Sequence, residues 1–504
     1  MKILSTAQIR ACDKYTISKQ QISSTELMER AATSCYDWII QHTHPDSSYV
    51  LLIGPGNNGG DAWVIARMLL EAGKKVNAFA LPAESLSDDN QINKTRFEAL
   101  GGTVYELNSA ALESIQAGSV LIDGIFGSGL NRPLEKSTAL IISELNSISA
   151  IKIALDAPSG FFTDSPMPDK AEAFRAHHTL CFQSPRLMYL LPGSEVYTGT
   201  WHVLDIGLEM PNDEAFQQDA FNKFEYTLLP DIENLFNAPN VFAHKGTNGH
   251  ALLAGASHGK TGAIVLAAHA CLRSGVGLCS VYIPGEAYSI LQTALPEAMV
   301  FTSEELTHLS GSFNPEAFDA IAFGPGAGKH DDTARVLKNL IQSVQTPLLI
   351  DADGLNLLAE NPTWLAFLPK GTVLTPHPGE LDRLCGKVTN AYDRLMNARE
   401  LSRKTGAVIV LKGAFTAVCS HSGDVFFNST GNPGMAKGGS GDVLSGIITA
   451  LLARGYSPVQ AARAGVFIHG LAGDIARENL GYTAMHASDI INSLPQAWKC
   501  VEKG

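Results

Sequence analysis

Residues Gly431 to Gly446, GNPGMAKGGSGDVLSG, combine a run of glycines, a single carboxylate at Asp442 and an apolar stretch behind it. That combination suits a loop delivering a polyphosphate to chemistry. Gly438, Gly439 and Gly441 lack the Cβ atoms that would hold a phosphate away from the backbone. Val443, Leu444, Ile447 and Ile448 have the spacing of a buried helix face, so a helix starting near Ser440 would aim unpaired N–H groups at an anion. A carboxylate beside phosphates is electrostatically unfavourable. Asp442 therefore reads as a base acting on a hydroxyl that is about to meet a phosphoryl group. The plainer reading, a Gly-rich turn with Asp as an N-terminal helix charge, fits any one of these features alone.

The same half of the chain carries further loops at the ends of apolar runs. HKGTNG (244–249) precedes the strand-like Ala251 to Ala254, and GASHGKTGA (255–263) follows it. The GKT at 259–261 resembles a Walker loop, but that pattern needs a glycine where Ala254 stands, and starting from Gly255 leaves the spacer one residue short. A Gly-rich substrate loop, with the N–H of Ala263 facing ligand, is the better reading. Ala320 to Phe323 runs into GPGAGK (324–329), Leu348 to Ile350 into DADGLNLL (351–358), a third run into TPHPGE (375–380), and Val408 to Leu411 into KGAFT (412–416). These loops should gather along one edge of a parallel sheet. His377 is either a substrate contact or a local turn residue. Lys412 is placed to meet phosphate, or else is a strand-end lysine that snorkels to solvent.

The N-terminal half has the same grammar. Ser23 with Glu26 makes a capping box, and Leu27, Ala31, Cys35, Trp38 and Ile39 share one helical face. The strand Tyr49 to Ile53 leads into GPGNNGGD (54–61) and a helical stretch with Ile65, Met68 and Leu69 inward. Further strands read at Val76 to Leu81, Thr103 to Leu107, Ser119 to Asp123 and Ile151 to Asp156, and Val203 to Ile206 closes the half. Alternation of this kind implies a doubly wound parallel sheet with ligands at the strand carboxyl ends. GPGNNGGD, DGIFGSGLNRP (123–133) and DAPSG (156–160) should converge there. Asn57 and Asn58 are unusual for a plain dinucleotide turn; their amides suit a substrate, or a monovalent cation shared with Asp123 and Ser159. Asp123 and Asp156 could instead cap the turns that follow them.

The chain has 504 residues, 45% of them hydrophobic, enough for at least two domains with substantial cores. A formal net charge of −13 without a basic block argues against nucleic acid or an anionic membrane as partner. The eight cysteines form no CxxC pair and sit mostly among apolar residues, which suits a reduced, cytoplasmic protein. No signal peptide or membrane-spanning stretch is expected. Glu209 to Asn222 reads as a linker; Pro230 and Pro239 punctuate a second polar stretch, and the later domain should start near Glu225.

GPGNNGGDA, DGIFGSGL and DAPSG resemble the motifs of the NAD(P)H-hydrate epimerase family, the YjeF N-terminal domain, with the domain placed at residues 1–213. The resemblance implies a Rossmann-like domain in which Asn57, Asn58, Gly59, Gly60 and Asp61 hold a substrate phosphate. Asn58, Asp123 and Ser159 would bind K⁺. Gly127, Ser128, Gly129, Leu130, Asn131, Arg132 and Pro133 would line the substrate, and Asp156 would contact it as the acid/base. Ala62 departs from the glycine common after this Asp, and Gly124 from the common alanine; these changes touch loop shape and not the ligands.

Residues 225–504 resemble the ADP/ATP-dependent NAD(P)H-hydrate dehydratase family, the YjeF C-terminal domain, with a ribokinase-like α/β fold. HKGTNG, GPGAG, DADGLNLL, TPHPGE, KGAFT and GNPGMAKGGSGD carry that likeness. It implies that Ala263, Gly326, His377 and Asp442 contact the hydrate. Lys412, Gly413, Ala414, Phe415 and Thr416 would hold the nucleotide, together with Asn432, Pro433, Gly434, Met435, Ala436, Lys437, Gly438, Gly439, Ser440 and Gly441. ADP with Mg²⁺, the hydrates of NADH and NADPH as ligands, and a homo-oligomer are implied in the same way. The runner-up reading is a ribokinase-like hydroxyl kinase behind a noncatalytic N-terminal module.

Overall fold

An apolar run closed by Gly, Asp or Pro buries both of its faces and then turns onto a helix, which makes a parallel strand. In the computed structural model, which describes residues 1–213, 216, 220–236 and 240–502, the runs above form strands of this kind. Pro239 and part of the stretch from Glu209 to Asn222 lie outside the described residues. Two compact units divide the chain, one spanning Lys2–Phe224 and the other Glu225 onward together with Met1.

The first unit contains β1 (Ser48–Ile53), β2 (Lys75–Ala80), β3 (Val104–Glu106), β4 (Val120–Gly124), β5 (Ile151–Leu155), β6 (His178–Phe182) and β7 (Thr200–Leu204). Among the described residues they form one seven-stranded sheet in the order β3-β2-β1-β4-β5-β6-β7, every pair parallel. This is the Rossmann-like order with one further strand, and it reverses between β1 and β4. Alternate residues of β1 enter different cores: Tyr49, Leu51 and Ile53 pack with the helices Ser24–His42 and Asn57–Glu71, and Val50 and Leu52 with the helix Lys136–Ser147. The sheet is therefore covered on both faces. Ser23 and Glu26 close the expected capping box. The helix after β1 begins at Asn57, earlier than its apolar spacing suggests, because Gly59 and Gly60 let it lie close to its surroundings. A Cβ at Gly59 would meet the Gly54 carbonyl oxygen at 1.9 Å. β6 opens on His178 and Thr179, which leaves only Leu180 to Phe182 as an apolar run, so its sequence signal is weak.

The second unit contains β8 (Phe224–Thr227), β9 (His250–Ala254), β10 (Leu278–Ile283), β11 (Met299–Thr302), β12 (Ala320–Phe323), β13 (Leu348–Ile350), β14 (Val373–Leu374), β15 (Val408–Leu411), β16 (Ala417–Cys419) and β17 (Val425–Asn428). Among the described residues these form a ten-stranded sheet, ordered β11-β10-β9-β12-β13-β14-β15-β16-β17-β8. Pairing is parallel from β11 to β15 and antiparallel across β15-β16-β17. The helix Ser440–Ala453 is buried through most of its length and packs on the helix Thr261–Arg273. Gly446 permits that approach, since a Cβ there would sit 2.0 Å from the Ala267 carbonyl oxygen. Among the described residues no helix is long and apolar enough to cross a membrane. All eight cysteines are free, and only Cys500 is exposed.

Candidate active sites

In the first unit the loops after β1, β4 and β5 meet at the point where strand order reverses, as expected for such a sheet. They border a cavity of about 430 Å³. Asn57, Asn58, Asp61, Gly127, Ser128, Gly129, Leu130 and Asp156 line it. Gly59 and Gly60 lie buried in the helix beneath. Asn131 borders a neighbouring depression, and Arg132 and Pro133 another, so the 127–133 loop reaches beyond the central cavity.

Asp156 is held in a conformation that its residue type seldom adopts. Its φ is +57°, the left-handed region, and the Tyr189 hydroxyl donates to its carbonyl at 2.8 Å. One carboxylate oxygen pairs with Arg186 at 2.6 Å; the other accepts from the Ser128 N–H at 2.8 Å. Burial opposes the charge, but Arg186 and the Ser128 bonds prevail and hold the carboxyl below the usual range. Arg186 itself is fully buried, and its Nε and Nη1 have no hydrogen-bond partner. Asp61, buried in the helix Asn57–Glu71, is pushed well above its ordinary value by burial and by Asp156.

Asn58 lines this cavity beside the end of β4, where a Cβ on Gly124 would lie 3.0 Å from its carbonyl oxygen, and Asp123 of β4 is bonded to Ser159. Asp123 accepts from the Ser159 hydroxyl at 2.6 Å and the Ser159 N–H at 2.8 Å. Burial raises its carboxyl to about 6. Both side-chain polar atoms of Asn58 are buried without a partner, a condition that native interiors rarely leave uncompensated. An amide oxygen, a carboxylate and a hydroxyl form a donor set that fits a hard monovalent cation.

Three charged residues of the site were not singled out from the sequence. Arg10 and Asp13 come from the helix Thr6–Gln20 and line the cavity, and Arg186 follows β6. For Asp13 a signal existed: it falls on the same helical face as the buried Ile9 and Thr16, where an acidic residue is out of place. Arg186 had none, because its partner comes from another loop.

In the second unit the helix Ser440–Ala453 starts after Gly439, whose φ is +91°, and no side chain caps it. Its first turn carries Asp442. Burial, then repulsion from Asp351, raises that carboxyl to about 7, against the pull of Lys412. Lys412 Nζ lies 3.0 Å from Asp351 and 3.8 Å from Glu380, and the far oxygen of Asp351 accepts from the Ser445 hydroxyl at 2.7 Å. Lys412 therefore points into a carboxylate cluster next to the helix start, where a Cβ on Gly441 would be 3.4 Å from its Nζ. The KGAFT loop is closed by Thr416, whose hydroxyl donates to the Gly413 carbonyl at 3.0 Å.

Other loop residues take local partners. The His377 Nδ1 accepts from the N–H groups of Gly379 and Glu380, at 3.0 and 3.3 Å, which makes it the cap of the helix Pro378–Cys385. Of the two readings left open for His377, the turn role is present, and half of the side chain remains exposed. The Ala263 N–H donates to Lys260 at 3.3 Å, so it does not stand free as expected; Ala263 abuts Gly326, whose φ is +63°. Lys260 pairs with Asp353 at 3.1 Å. Asn432 is tied to Asp474 at 2.9 Å, and Lys437 donates to the carbonyls of Thr483 and Met485. These two residues shape the loop through neighbours behind it.

The sequence pattern of the NAD(P)H-hydrate dehydratase family matches residues 251–496, and that of the YjeF-related protein N-terminus matches residues 24–188. A bifunctional NAD(P)H-hydrate repair enzyme from Moorella thermoacetica is 33% identical over 100% of this chain and 98% of its own length. The chain belongs to the bifunctional NAD(P)H-hydrate repair enzymes. One from Escherichia coli is 34% identical over 93% of this chain and 88% of its own length. A crystal structure of an ADP/ATP-dependent NAD(P)H-hydrate dehydratase from Bacillus subtilis, co-crystallised with ATP and Mg²⁺, is 27% identical. It covers 55% of this chain and 99% of its own, with a TM-score of 0.48. As a bifunctional repair enzyme the chain joins an epimerase domain to a dehydratase domain. The reading as a hydroxyl kinase with a noncatalytic first half finds no support among these relatives.

Proposed function

We propose that residues 1–213 interconvert the R and S hydrates of NADH and NADPH, and that residues 225–504 dehydrate the S form with ADP, giving AMP and phosphate. The observation that carries this reading is Asp442, a carboxyl poised at about 7 on the uncapped start of the helix Ser440–Ala453. A base with that proton affinity is matched to removing a hydroxyl proton near neutral pH. Hydroxide is a poor leaving group. As Asp442 takes the proton, the hydrate oxygen accepts a phosphoryl group, and the backbone around Gly438 to Gly441 holds the donor. The C–O bond then breaks with its electron pair going to phosphate, the ring nitrogen supplies electrons, and loss of a ring proton leaves the dihydronicotinamide.

Mg²⁺ would neutralise phosphate charge. Asp351 and Asp353 are already engaged by Lys412, Ser445 and Lys260, so the ion would arrive on the nucleotide rather than in a protein cage. In the first unit Asn58, Asp123 and Ser159 would hold K⁺, which would supply a fixed positive charge beside the cavity.

The test is to supply separated R and S hydrates with ADP to the full chain and follow the absorbance of reduced nicotinamide. Both epimers are expected to disappear. Survival of R while S is consumed removes the epimerase assignment, and an undiminished rate in D442N removes the dehydratase base.

A further inference from the structure

Three carboxyls meet the cavity of the first unit in different states. Asp156 has both oxygens engaged and is fixed as an anion by Arg186. Asp61, buried within the helix Asn57–Glu71, is pushed well above its ordinary value by burial and by Asp156. Asp13 lines the same cavity from the helix Thr6–Gln20 and makes no hydrogen bond among the described residues. The charged groups that act on it are Arg10 on its own helix, Asp61 on the helix Asn57–Glu71, Asp156, which lines the same cavity, and Arg186, the buried partner of Asp156. Burial, then Asp156, raises the Asp13 carboxyl to about 6, against the pull of Arg186 and Arg10.

Exchange of a hydroxyl between the two faces of a carbinolamine needs a group that yields a proton and takes it back, and a group that stabilises the cation between. Asp156 is unsuited to the first task, because protonation would forfeit the Arg186 pair and the Ser128 bond. Asp61 is buried within the helix Asn57–Glu71, whereas the Asp13 residue is only half-buried. The Asp13 carboxyl has no hydrogen bond to give up and is able to cycle.

We propose that Asp13 is the proton donor of epimerisation, a catalytic residue acting on the hydroxyl in the cavity that it lines together with Asp156. This rests on the assignment of the cavity to epimerisation made above. The Asp13 proton passes to the hydroxyl oxygen, and the C–O bond breaks with its pair leaving on water. The ring-nitrogen lone pair forms C=N⁺, and the cation is stabilised by Asp156. A water then bonds to the other face of the carbon, the C=N⁺ pair returns to nitrogen, and the proton shed by that water restores the Asp13 acid. Nothing is oxidised or consumed.

The experiment measures R-to-S conversion by the full chain, with the epimers separated chromatographically, for wild type, D13N and D156N. D13N is expected to lose about 10²- to 10⁴-fold in kcat, in keeping with removal of a general acid. Its KM should stay within about threefold, and its ADP-dependent dehydration of S hydrate should be unchanged. Wild-type kcat/KM should fall as pH rises through about 6, the value to which Asp13 is raised, and D13N should lack that limb. A D13N rate within about twofold of wild type overturns the proposal, as does a wild-type profile that is flat over this range, which needs no variant to fold. If D156N is equally unaffected, the assignment of the cavity falls with it; if D156N alone is inactive, only the role of Asp13 is lost.

Discussion

A Cβ placed on Gly124 would lie 2.6 Å from the Cβ of Ala62. The end of β4 and the helix Asn57–Glu71 touch at this point. In the sequence these residues look like two separate departures from the epimerase pattern, glycine to alanine at 62 and alanine to glycine at 124. In space they are one methyl group moved from one side of a contact to the other.

Compensation of this kind predicts strong coupling. G124A alone should destabilise the first unit by about 1–3 kcal/mol, the usual cost of overpacking. A62G with G124A should recover most of that loss. Denaturant melts of the four variants in a double-mutant cycle measure the coupling, and additive effects would refute the compensation.

Arg186 is buried and pairs with Asp156 at 2.6 Å. R186M should leave the carboxylate buried without its partner, costing about 3–5 kcal/mol, and should abolish epimerisation while dehydration persists. The Asp156 carboxyl is depressed in the folded state, so the stability it contributes is complete above its unfolded value of about 3.9 and is lost as pH falls below that. Acid unfolding of wild type and D156N, compared between pH 6 and 2, should converge at the low end.

Asp442 has the opposite sign. Its carboxyl is raised to about 7, so ionising it in the folded state costs stability as pH climbs from about 4 to 7. D442N should therefore be more stable than wild type at pH 8 and little different at pH 4. Dehydration by wild type should rise with pH through about 7, as the base loses its proton, while D442N should lose most of its activity across the range. Thermal melts and kcat/KM profiles of the two proteins check both statements.

Replacing K⁺ by choline should slow epimerisation and spare dehydration. N58A should reduce the response to added K⁺, because the buried Asn58 amide has no hydrogen-bond partner within the protein. Initial rates of R-to-S conversion against K⁺ concentration measure this, and an unchanged response in N58A would detach Asn58 from the cation.

Much of the site was written locally. GPGNNGGD, DGIFGSGL, DAPSG and GNPGMAKGGSGD each close an apolar run, and parallel sheets bring such strand ends to one edge, so their convergence follows from pattern alone. The buried face of Val443, Leu444, Ile447 and Ile448 was equally plain, since helical spacing is a short-range property. The cap that His377 makes on its own helix is likewise local, reaching only Gly379 and Glu380. The alternatives left open for Lys412 were not of this kind: whether it meets Asp351 and Glu380 depends on where loops distant in the chain arrive.

The sequence by itself therefore determined the two α/β domains, the loops that border their sites and the family to which they belong, because these are carried by composition, period and contiguous motifs. Only the tertiary structure decided which carboxyls are raised and which is lowered. Asp13, Asp61, Asp156 and Asp442 are the same residue type in sequence. What separates them is burial and the nearness of Arg186, Asp351 or Lys412, and those fields exist only once the chain is folded.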